Sequence, residues 1–505
     1  MQVLTLAALS ALAGLLVACA QPARLPEPRA LVAPAAVGLA ASAPTEVVAG
    51  TWWHELGDTR LDALVDLALA EQPRLQIAAA RLDQARVQSR LAGNAGEVQV
   101  GLTADATLQR YTAHGLVPPP IAGTWQTNAN VMLGASWELD FWGRHGAALA
   151  QALGGERAAR ADMAAARTLL AAEVARAYIA LAQAGSAADN ARQALTQRET
   201  IARLTQERVQ AGLDTQGELA LSNARVADAR GQILAVMERQ TLLRHQLAAL
   251  CAQAPQALAA LAPTLGELTL AAAPSTHATS AVVGADLLGR RADLAAARER
   301  VEAAAQGVTV ARGRFYPDLN LNVFAGLSAL GLDNLVDIGS RSYGAGPALR
   351  LPLFDTPGLN AQLGSRAAEY DAAVAAYNSA VIDAAHAAAD ALALRSSLAS
   401  QITQQADALA QANEAWRIAR TRYDAGLSGF LQVLATDDLR LAQERAAIEL
   451  RGRALDAQVQ LMHALGGGWQ ASESAPAATP SARAGTRPVS TATWATPTGA
   501  AVRQD

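Results

Sequence analysis

Four segments of the chain alternate strictly between apolar and polar residues, and this alternation constrains the fold more than any other feature. The segments lie at about residues 97–111, 127–141, 317–328 and 341–354. A period of two gives a β-strand one apolar and one polar face. Each segment has the roughly 9–11 residues that a tilted strand needs to cross a bilayer. The pattern therefore favours membrane-spanning strands over two hairpins packed on a soluble core.

Four such strands cannot close a membrane barrel by themselves. An open sheet edge in lipid leaves backbone N–H and C=O groups unpaired, at a cost of several kcal/mol each. Known membrane barrels have about eight strands or more. The chain is therefore expected to oligomerise, and the strand count leaves two solutions open. Two copies would supply eight strands, and three copies would supply twelve.

Long helical stretches separate the strand pairs. Residues 143–210 and 357–424 have few glycines and no proline after residue 357, and each stretch would reach about 100 Å as a helix. After a turn that contains glycine, a return helix is predicted at 217–250 and at 430–465. Abundant alanine allows the helices to approach one another closely. Helices of this length are typical of an extended span and not of a globular core.

The two halves of the chain contain the same landmarks in the same order, which indicates a duplication. The sequence Arg-Val-Gln-Ala-Gly-Leu at 208–213 returns as Arg-Tyr-Asp-Ala-Gly-Leu at 422–427, an offset of 214 residues (422 − 208). We predict a first repeat at 51–270 and a second at 283–469. Each repeat contains two strands and one long helical hairpin.

The N-terminal residues predict export and lipidation. Residues 1–18 contain a short apolar run that is typical of a signal peptide. This run ends at Leu-Val-Ala before Cys19, which resembles the bacterial lipobox, where the cysteine is acylated. Residues 19–50, rich in proline and alanine, predict a lipidated cysteine followed by a flexible linker. Residues 470–505, rich in Ala, Ser, Thr and Pro, predict a disordered tail.

Composition excludes several classes of function. The net charge of −4 and the pI near 6.0 indicate no nucleic-acid partner. All 41 basic residues are arginine, so the chain has neither a P-loop lysine nor a Schiff-base lysine. The seven histidines are scattered without the spacing of a metal site. We therefore predict no enzymatic activity, no metal and no cofactor.

Several short motifs together resemble the TolC-like outer-membrane factors of tripartite efflux pumps, in their lipoprotein (NodT/OprM-type) branch. The resemblance extends over residues 51–469. It is carried by the lipobox, Trp52-Trp53, Gln72-Pro73-Arg74-Leu75, the run from Ser136 to Arg144, Phe315-Tyr316-Pro317-Asp318-Leu319, the run from Leu351 to Asp355, and the run from Ala464 to Trp469.

The resemblance implies a fold and a function. The fold is mainly α with a transmembrane β part, and a homotrimer forms a 12-stranded β-barrel and a 12-helix periplasmic tunnel. The implied function is that of a passive outer-membrane channel of an RND-type efflux system, which exports drugs or toxic small compounds. Its partners would be a periplasmic adaptor (membrane fusion protein), which opens it, an inner-membrane RND transporter, and outer-membrane lipid.

The resemblance also assigns roles to particular residues. The two turns resemble the hairpin tips that meet the adaptor, and they consist of Ala211, Gly212, Leu213, Ala425, Gly426 and Leu427. Tyr423 matches a tyrosine that latches the closed end, and Leu431 matches an apolar constriction. Family members usually carry an aspartate ring where this chain has Gln432 or Ala435. Asp437 and Asp438 follow within one turn, as either a shifted ring or an exposed acidic helix start.

Two other hypotheses remain open on the sequence alone. The first is a lipid-anchored periplasmic coiled-coil scaffold, in which the alternating segments are ordinary hairpins. The second is an outer-membrane duct of a protein-secretion system. The strand alternation, which recurs at matching places in both halves, favours a duct.

Overall fold

The computed structural model of the chain describes residues 22–38, 49–270, 287–352 and 354–470. The predicted signal peptide, Cys19 and the tail after residue 470 lie outside the described residues.

Seven helices form the greater part of the described chain. The first repeat contains α1 (Thr59–Glu71), α2 (Pro73–Asn94), α3 (Arg144–Gln210) and α4 (Gln216–Leu250). The second contains α5 (Ala292–Gly313), α6 (Thr356–Asp424) and α7 (Phe430–Ala464), after a short helical segment at Leu287–Arg290. The long helices α3 and α6 have 67 and 69 residues, so each reaches about 100 Å. No helix within the described ranges is both long and apolar enough to cross a membrane.

Four strands form one antiparallel sheet in the order β1-β2-β3-β4. Their bounds are Gln99–Arg110, Trp125–Leu139, Asp318–Leu330 and Arg341–Arg350. The predicted fold class is confirmed in this respect, because each repeat contributes two strands and one long helical hairpin. The last strand ends four residues before the predicted residue 354.

The register aligns the apolar residues of all four strands on one face. Leu102 lies opposite Leu133, Leu133 opposite Ala325, and Ala325 opposite Tyr343. β1 and β4 are the two edge strands, and within the described chain their outer edges have no partner strand. The sheet is therefore open, as the strand count predicts.

The polar face of the sheet is held together by a hydrogen-bonded row. Asn130 Nδ2 donates to Asp105 Oδ2 at 3.0 Å, and Ser328 Oγ donates to Asn130 Oδ1 at 2.7 Å. The two bonds join β1, β2 and β3. An apolar face and a polar face of this kind match a wall with lipid on one side and water on the other.

The helical body has its main core where the first repeat begins. Trp52, Leu61, Tyr178, Leu247 and Leu455 are fully or almost fully buried in one cluster. These residues come from four helices and from the 3₁₀ turn Trp52–Leu56. Many alanines of α3 are also buried, which lets α2, α4, α5 and α7 pack against this one helix.

Residues 22–38 lie along α6. The backbone N–H groups of Ala23 and Val32 donate to the side-chain oxygens of Asn360 and Asn378, both at 2.8 Å. Between them, the N–H of Arg29 donates to Asp371 at 3.0 Å. Within the predicted flexible linker, these residues therefore have fixed partners, which their proline- and alanine-rich composition does not predict.

A buried carboxylate ties the start of α1 to the body. Asp58, 6% exposed, caps α1 by accepting from the N–H of Arg60 at 3.0 Å. It also accepts from Arg60 Nη2 at 2.9 Å and from the buried hydroxyl of Tyr178 at 2.5 Å. Burial opposes ionisation, but the bonds from Arg60 and Tyr178 outweigh it, so the pKa of Asp58 lies below its usual value of 3.8.

We expect Asp58→Ala to lower the free energy of unfolding by roughly 2–3 kcal/mol, because the Tyr178 hydroxyl and the Arg60 guanidinium lose an ionised acceptor. Because the folded pKa of Asp58 is depressed, its contribution is complete above pH 3.8 and is lost as the pH falls through the folded pKa. Denaturant titrations at pH 7 and in acid check both points. Asp83→Ala, at an exposed pair with Arg86, is the control and should change little. An equal loss in both variants would contradict the assignment.

Candidate functional site: the helix-hairpin tips

The tip between α3 and α4 is a tight turn built on one left-handed glycine. Gly212 has φ +72°, a conformation that glycine adopts without strain. The N–H of Leu213 donates to the carbonyl of Arg208 at 2.8 Å, and the N–H of Gly212 donates to that of Val209 at 3.0 Å. Together these bonds form a Schellman motif, which ends α3 and satisfies its last carbonyls.

The tip between α6 and α7 repeats this geometry. Gly426 has φ +74°, and its N–H donates to the carbonyl of Tyr423 at 2.8 Å. The N–H of Leu427 donates to the carbonyl of Arg422, also at 2.8 Å. Leu213 and Leu427 therefore occupy the same place in matching turns, with 65% and 71% of their surfaces exposed.

The two tips differ in how firmly they are held. At the first, Arg208 forms a two-pronged ion pair with Asp214, at 2.8 and 2.9 Å, and the bond lowers the pKa of the carboxyl. Thr215 and Glu218 then form a capping box at the start of α4. At the second tip, Gly429 begins α7 and provides no side-chain cap. The second tip is therefore the less constrained of the two.

Tyr423 and Leu431 lie on either side of the second tip. The Tyr423 ring contacts the Phe430 ring across the turn, with centroids 5.0 Å apart. Leu431 is more than half exposed. Tyr423 therefore packs on its own hairpin, and the Leu431 side chain faces solvent.

The adjacent aspartates on α7 have different environments. Asp437 accepts from Arg440 Nε at 2.6 Å, and the same guanidinium donates to Glu444 at 3.2 Å. Arg440 also lies over the ring of Trp416 on α6, 5.6 Å from its centroid. Asp438 is exposed and has no ion pair among the described residues. Sequence reasoning missed Arg440, although its spacing of three from Asp437 was a usable signal.

Comparison with known families decides what this architecture is. The outer membrane efflux protein family matches residues 64–267 and 283–467. This chain is a member of that family. The two matched segments fall inside the two repeats predicted from the sequence, and together they cover most of the chain.

Relatives of this outer membrane efflux protein include multidrug resistance outer membrane proteins. The chain is 31% identical over 427 residues to MdtQ of Escherichia coli O157:H7, covering 83% of this chain and 88% of the relative. It is 32% identical over 429 residues to MdtP of Shigella flexneri, covering 83% and 86%. Both relatives are similar to it along almost their whole length.

Solved structures of outer-membrane proteins have the same fold. VceC of Vibrio cholerae is 34% identical, with a TM-score of 0.75, covering 83% of this chain and 98% of that one. The open-state MtrE channel of Neisseria gonorrhoeae is 25% identical, with a TM-score of 0.72, covering 90% and 99%. The efflux protein described here is thus an outer-membrane channel with its helices extending into the periplasm. The scaffold hypothesis is not supported.

Proposed function

We propose that this protein is the outer-membrane channel of an RND-type tripartite efflux system. It would be a passive homotrimeric duct that exports drugs or toxic small compounds, and a periplasmic adaptor would open it. The multidrug names of its relatives favour efflux over protein secretion. The observation that carries the proposal is the four-stranded sheet, whose two outer edges have no partner strand among the described residues.

Threefold symmetry satisfies both open edges at once. β1 and β3 run in one direction and β2 and β4 in the other, so β4 of one protomer can pair antiparallel with β1 of the next. Three copies give a closed barrel of twelve strands without an unpaired edge in lipid. The helices α3, α4, α6 and α7 of three protomers would likewise supply twelve tunnel helices. No reaction is proposed, since the transporter in the inner membrane would supply the energy.

The tips have the features of a docking and gating end. We assign adaptor docking to the two matching turns, Ala211-Gly212-Leu213 and Ala425-Gly426-Leu427, because each exposes a leucine on a turn closed by two backbone hydrogen bonds. We assign the gate to Tyr423, Leu431 and Asp438. Asp437 contributes indirectly, since Arg440 binds it and joins α7 to Trp416 on α6.

We expect Arg440→Ala to increase the leak of the resting channel about fivefold, because the variant loses roughly 1 kcal/mol of helix-to-helix attachment. The measurement is the conductance of purified trimers in planar bilayers without adaptor. Arg445→Ala is the control, because Arg445 is exposed and has no ion pair within the described part of α7. Equal conductance in the two variants would show that Arg440 does not help to keep the gate closed.

We propose that Cys19 anchors the protein through acyl chains. The contact between Ala23 and Asn360 supports this, because it fixes the chain one turn into α6, near the sheet. Only four residues of sequence separate Cys19 from Ala23, so an anchor at Cys19 would begin close to this docked part of the chain. Cys251 cannot substitute for Cys19, since it is fully buried and burial raises the pKa of its thiol to about 11. Labelled palmitate should be incorporated in Cys251→Ala but not in Cys19→Ala, and label in Cys19→Ala would refute the anchor.

The proposed function is tested by imaging detergent-purified full-length protein and by measuring dye efflux in cells. A threefold cannula well over 100 Å long is expected from the helix lengths. Deletion of the protein should cause retention of the dye, and its return on a plasmid should restore export. A compact or monomeric particle would exclude the trimeric duct. Normal particles with unchanged efflux on deletion would keep the duct and exclude the drug-export role.

A further inference from the structure

The register of the sheet defines its lipid-facing side. Leu102, Leu133, Ala325 and Tyr343 are aligned across the four strands. Even-numbered residues of β1 and odd-numbered residues of the other three strands therefore share this apolar face. Every residue of the four strands can be assigned to the lipid face or the lumen face in this way.

Two charged residues, both arginines, interrupt the lipid face, and no other described strand residue on that face is charged. Arg110 is the last residue of β1, and Arg341 is the first residue of β4. Both lie at the end of the sheet that the loops occupy, opposite the end where the helices begin. Because the helices extend into the periplasm, both arginines lie at the external surface of the membrane.

Neither arginine has a carboxylate partner within the described residues. Both side chains are exposed, and Arg110 Nε donates a long, weak hydrogen bond to the carbonyl of Gly123 at 3.5 Å. The loop between β1 and β2 contains no acidic residue. The loop between β3 and β4 contains Asp333 and Asp337, and neither forms an ion pair with Arg341. Two positive charges are thus available for an external anion.

An aromatic residue accompanies each arginine on the lipid face. Trp125 lies directly opposite Arg110 in the register. Tyr343 lies two residues from Arg341 on the same strand face, with 82% of its surface exposed. Trp and Tyr are enriched at the boundary between lipid tails and headgroups. The arginines therefore lie at headgroup depth.

The periplasmic end of the same face has a different character. It ends in Leu139, Leu319 and Leu349 and carries no charge at the described strand positions. Arg144 at that end pairs with Glu138 and Asp318, which belong to the opposite face. Positive charge is therefore presented to only one leaflet. The external leaflet of an outer membrane is built of phosphorylated saccharolipid, so the negative phosphate groups lie in the leaflet that the two arginines face.

We propose that Arg110 and Arg341 bind the phosphate groups of lipid A in the external leaflet. A guanidinium binds a phosphate through two parallel hydrogen bonds, which a lysine cannot reproduce. β1 and β4 are the two edge strands, so in the proposed trimer Arg341 of one protomer and Arg110 of the next lie on neighbouring strands. Each junction between protomers thus forms one site. This last step rests on the proposed trimer.

The test uses full-length trimers, stripped of lipid in detergent and analysed by native mass spectrometry. They are offered bis-phosphorylated lipid A, its dephosphorylated form, phosphatidylglycerol, or inorganic phosphate. We expect up to three molecules of bis-phosphorylated lipid A per trimer and little retention of the other three. The double variant R110Q/R341Q should lose at least tenfold in retention. Arg350→Gln is the control, because it removes a charge from the lumen face of β4, the strand that also contains Arg341.

The outcomes separate the two proposals. Retention of dephosphorylated lipid A or phosphatidylglycerol at the same level would overturn the site, as would undiminished binding by R110Q/R341Q trimers. Binding of inorganic phosphate alone would indicate an anion site without a lipid partner and would also overturn it. The same spectra give the subunit number, so a wild-type monomer would refute the proposed trimer, whereas a trimer without arginine-dependent lipid would refute only the lipid site.

Discussion

Replacing Gly326 by alanine is expected to prevent most of the protein from assembling. Gly326 lies in β3 opposite Met132 of β2. A Cβ atom built there would fall 2.8 Å from the Met132 Cα and closer still to the Val131 carbonyl oxygen. Both neighbours are backbone atoms of a paired strand, so neither can rotate away. We expect a loss of about 3 kcal/mol per chain, near the upper end for overpacking.

Assembly multiplies this effect, because each trimer contains three copies of the clash. We expect at least tenfold fewer heat-resistant trimers of Gly326→Ala in the outer membrane, measured by gel mobility before and after heating. Gly346→Ala is the matched control, since Gly346 is also a strand glycine on the lumen face and a Cβ there would have no heavy atom within 4 Å. Equal trimer yields would show that the strands separate enough to admit the methyl group.

The strands were predictable because their signal is local. One face meets lipid and the other meets water, so each strand carries its own alternation, and four strands could be recognised independently. Their pairing was not predictable in the same way. β2 and β3 pair although about 180 residues separate them (318 − 139 = 179). The alternation within each strand does not indicate which other strand it pairs with. The clash at Gly326 therefore becomes visible only in the folded sheet.

The docking of residues 23–32 on α6 depends on a sequence pattern that does not by itself indicate docking. Asn360, Asp371 and Asn378 are spaced 11 and 7 residues apart (371 − 360 and 378 − 371), which keeps them on one face of α6. A polar stripe of this kind usually faces water. Here it accepts hydrogen bonds from backbone N–H groups of residues 23–32. Every residue except proline has such a group, so the sequence does not identify the donors. Composition alone therefore suggested a free linker.

The candidate site was predictable where its sequence signals are local, as the strands were. The turns at Gly212 and Gly426 recur as a sequence echo, and the structure gives them matching hydrogen bonds. The bond from Arg440 to Asp437 is also local, at a spacing of three. The contact of Arg440 with Trp416 joins two helices, so it required the packing of α6 against α7. The roles of these residues in docking and gating stay predictions.

Glutamate at both tip leucines, Leu213→Glu with Leu427→Glu, is expected to abolish efflux while leaving the channel intact. Burying an exposed leucine against a partner contributes roughly 1.5–3 kcal/mol. A trimer presents six such leucines, and a buried carboxylate without a partner adds a further cost at each. We therefore expect dye export to fall at least tenfold. The hairpins should survive, because the turn bonds use the backbone N–H groups of these residues and not their side chains.

Three readouts separate loss of docking from loss of the channel. Heat-resistant trimers and conductance in planar bilayers without adaptor should match the wild type, and only efflux in cells should fall. Leu116→Glu is the control, since it places the same charge on a fully exposed leucine in the loop between β1 and β2, at the opposite end of the protein. Normal efflux in the double variant would exclude the tips as the docking surface. An equal loss of efflux in Leu116→Glu would show that the added negative charge causes the effect, because Leu116 shares with the tip leucines only its exposure.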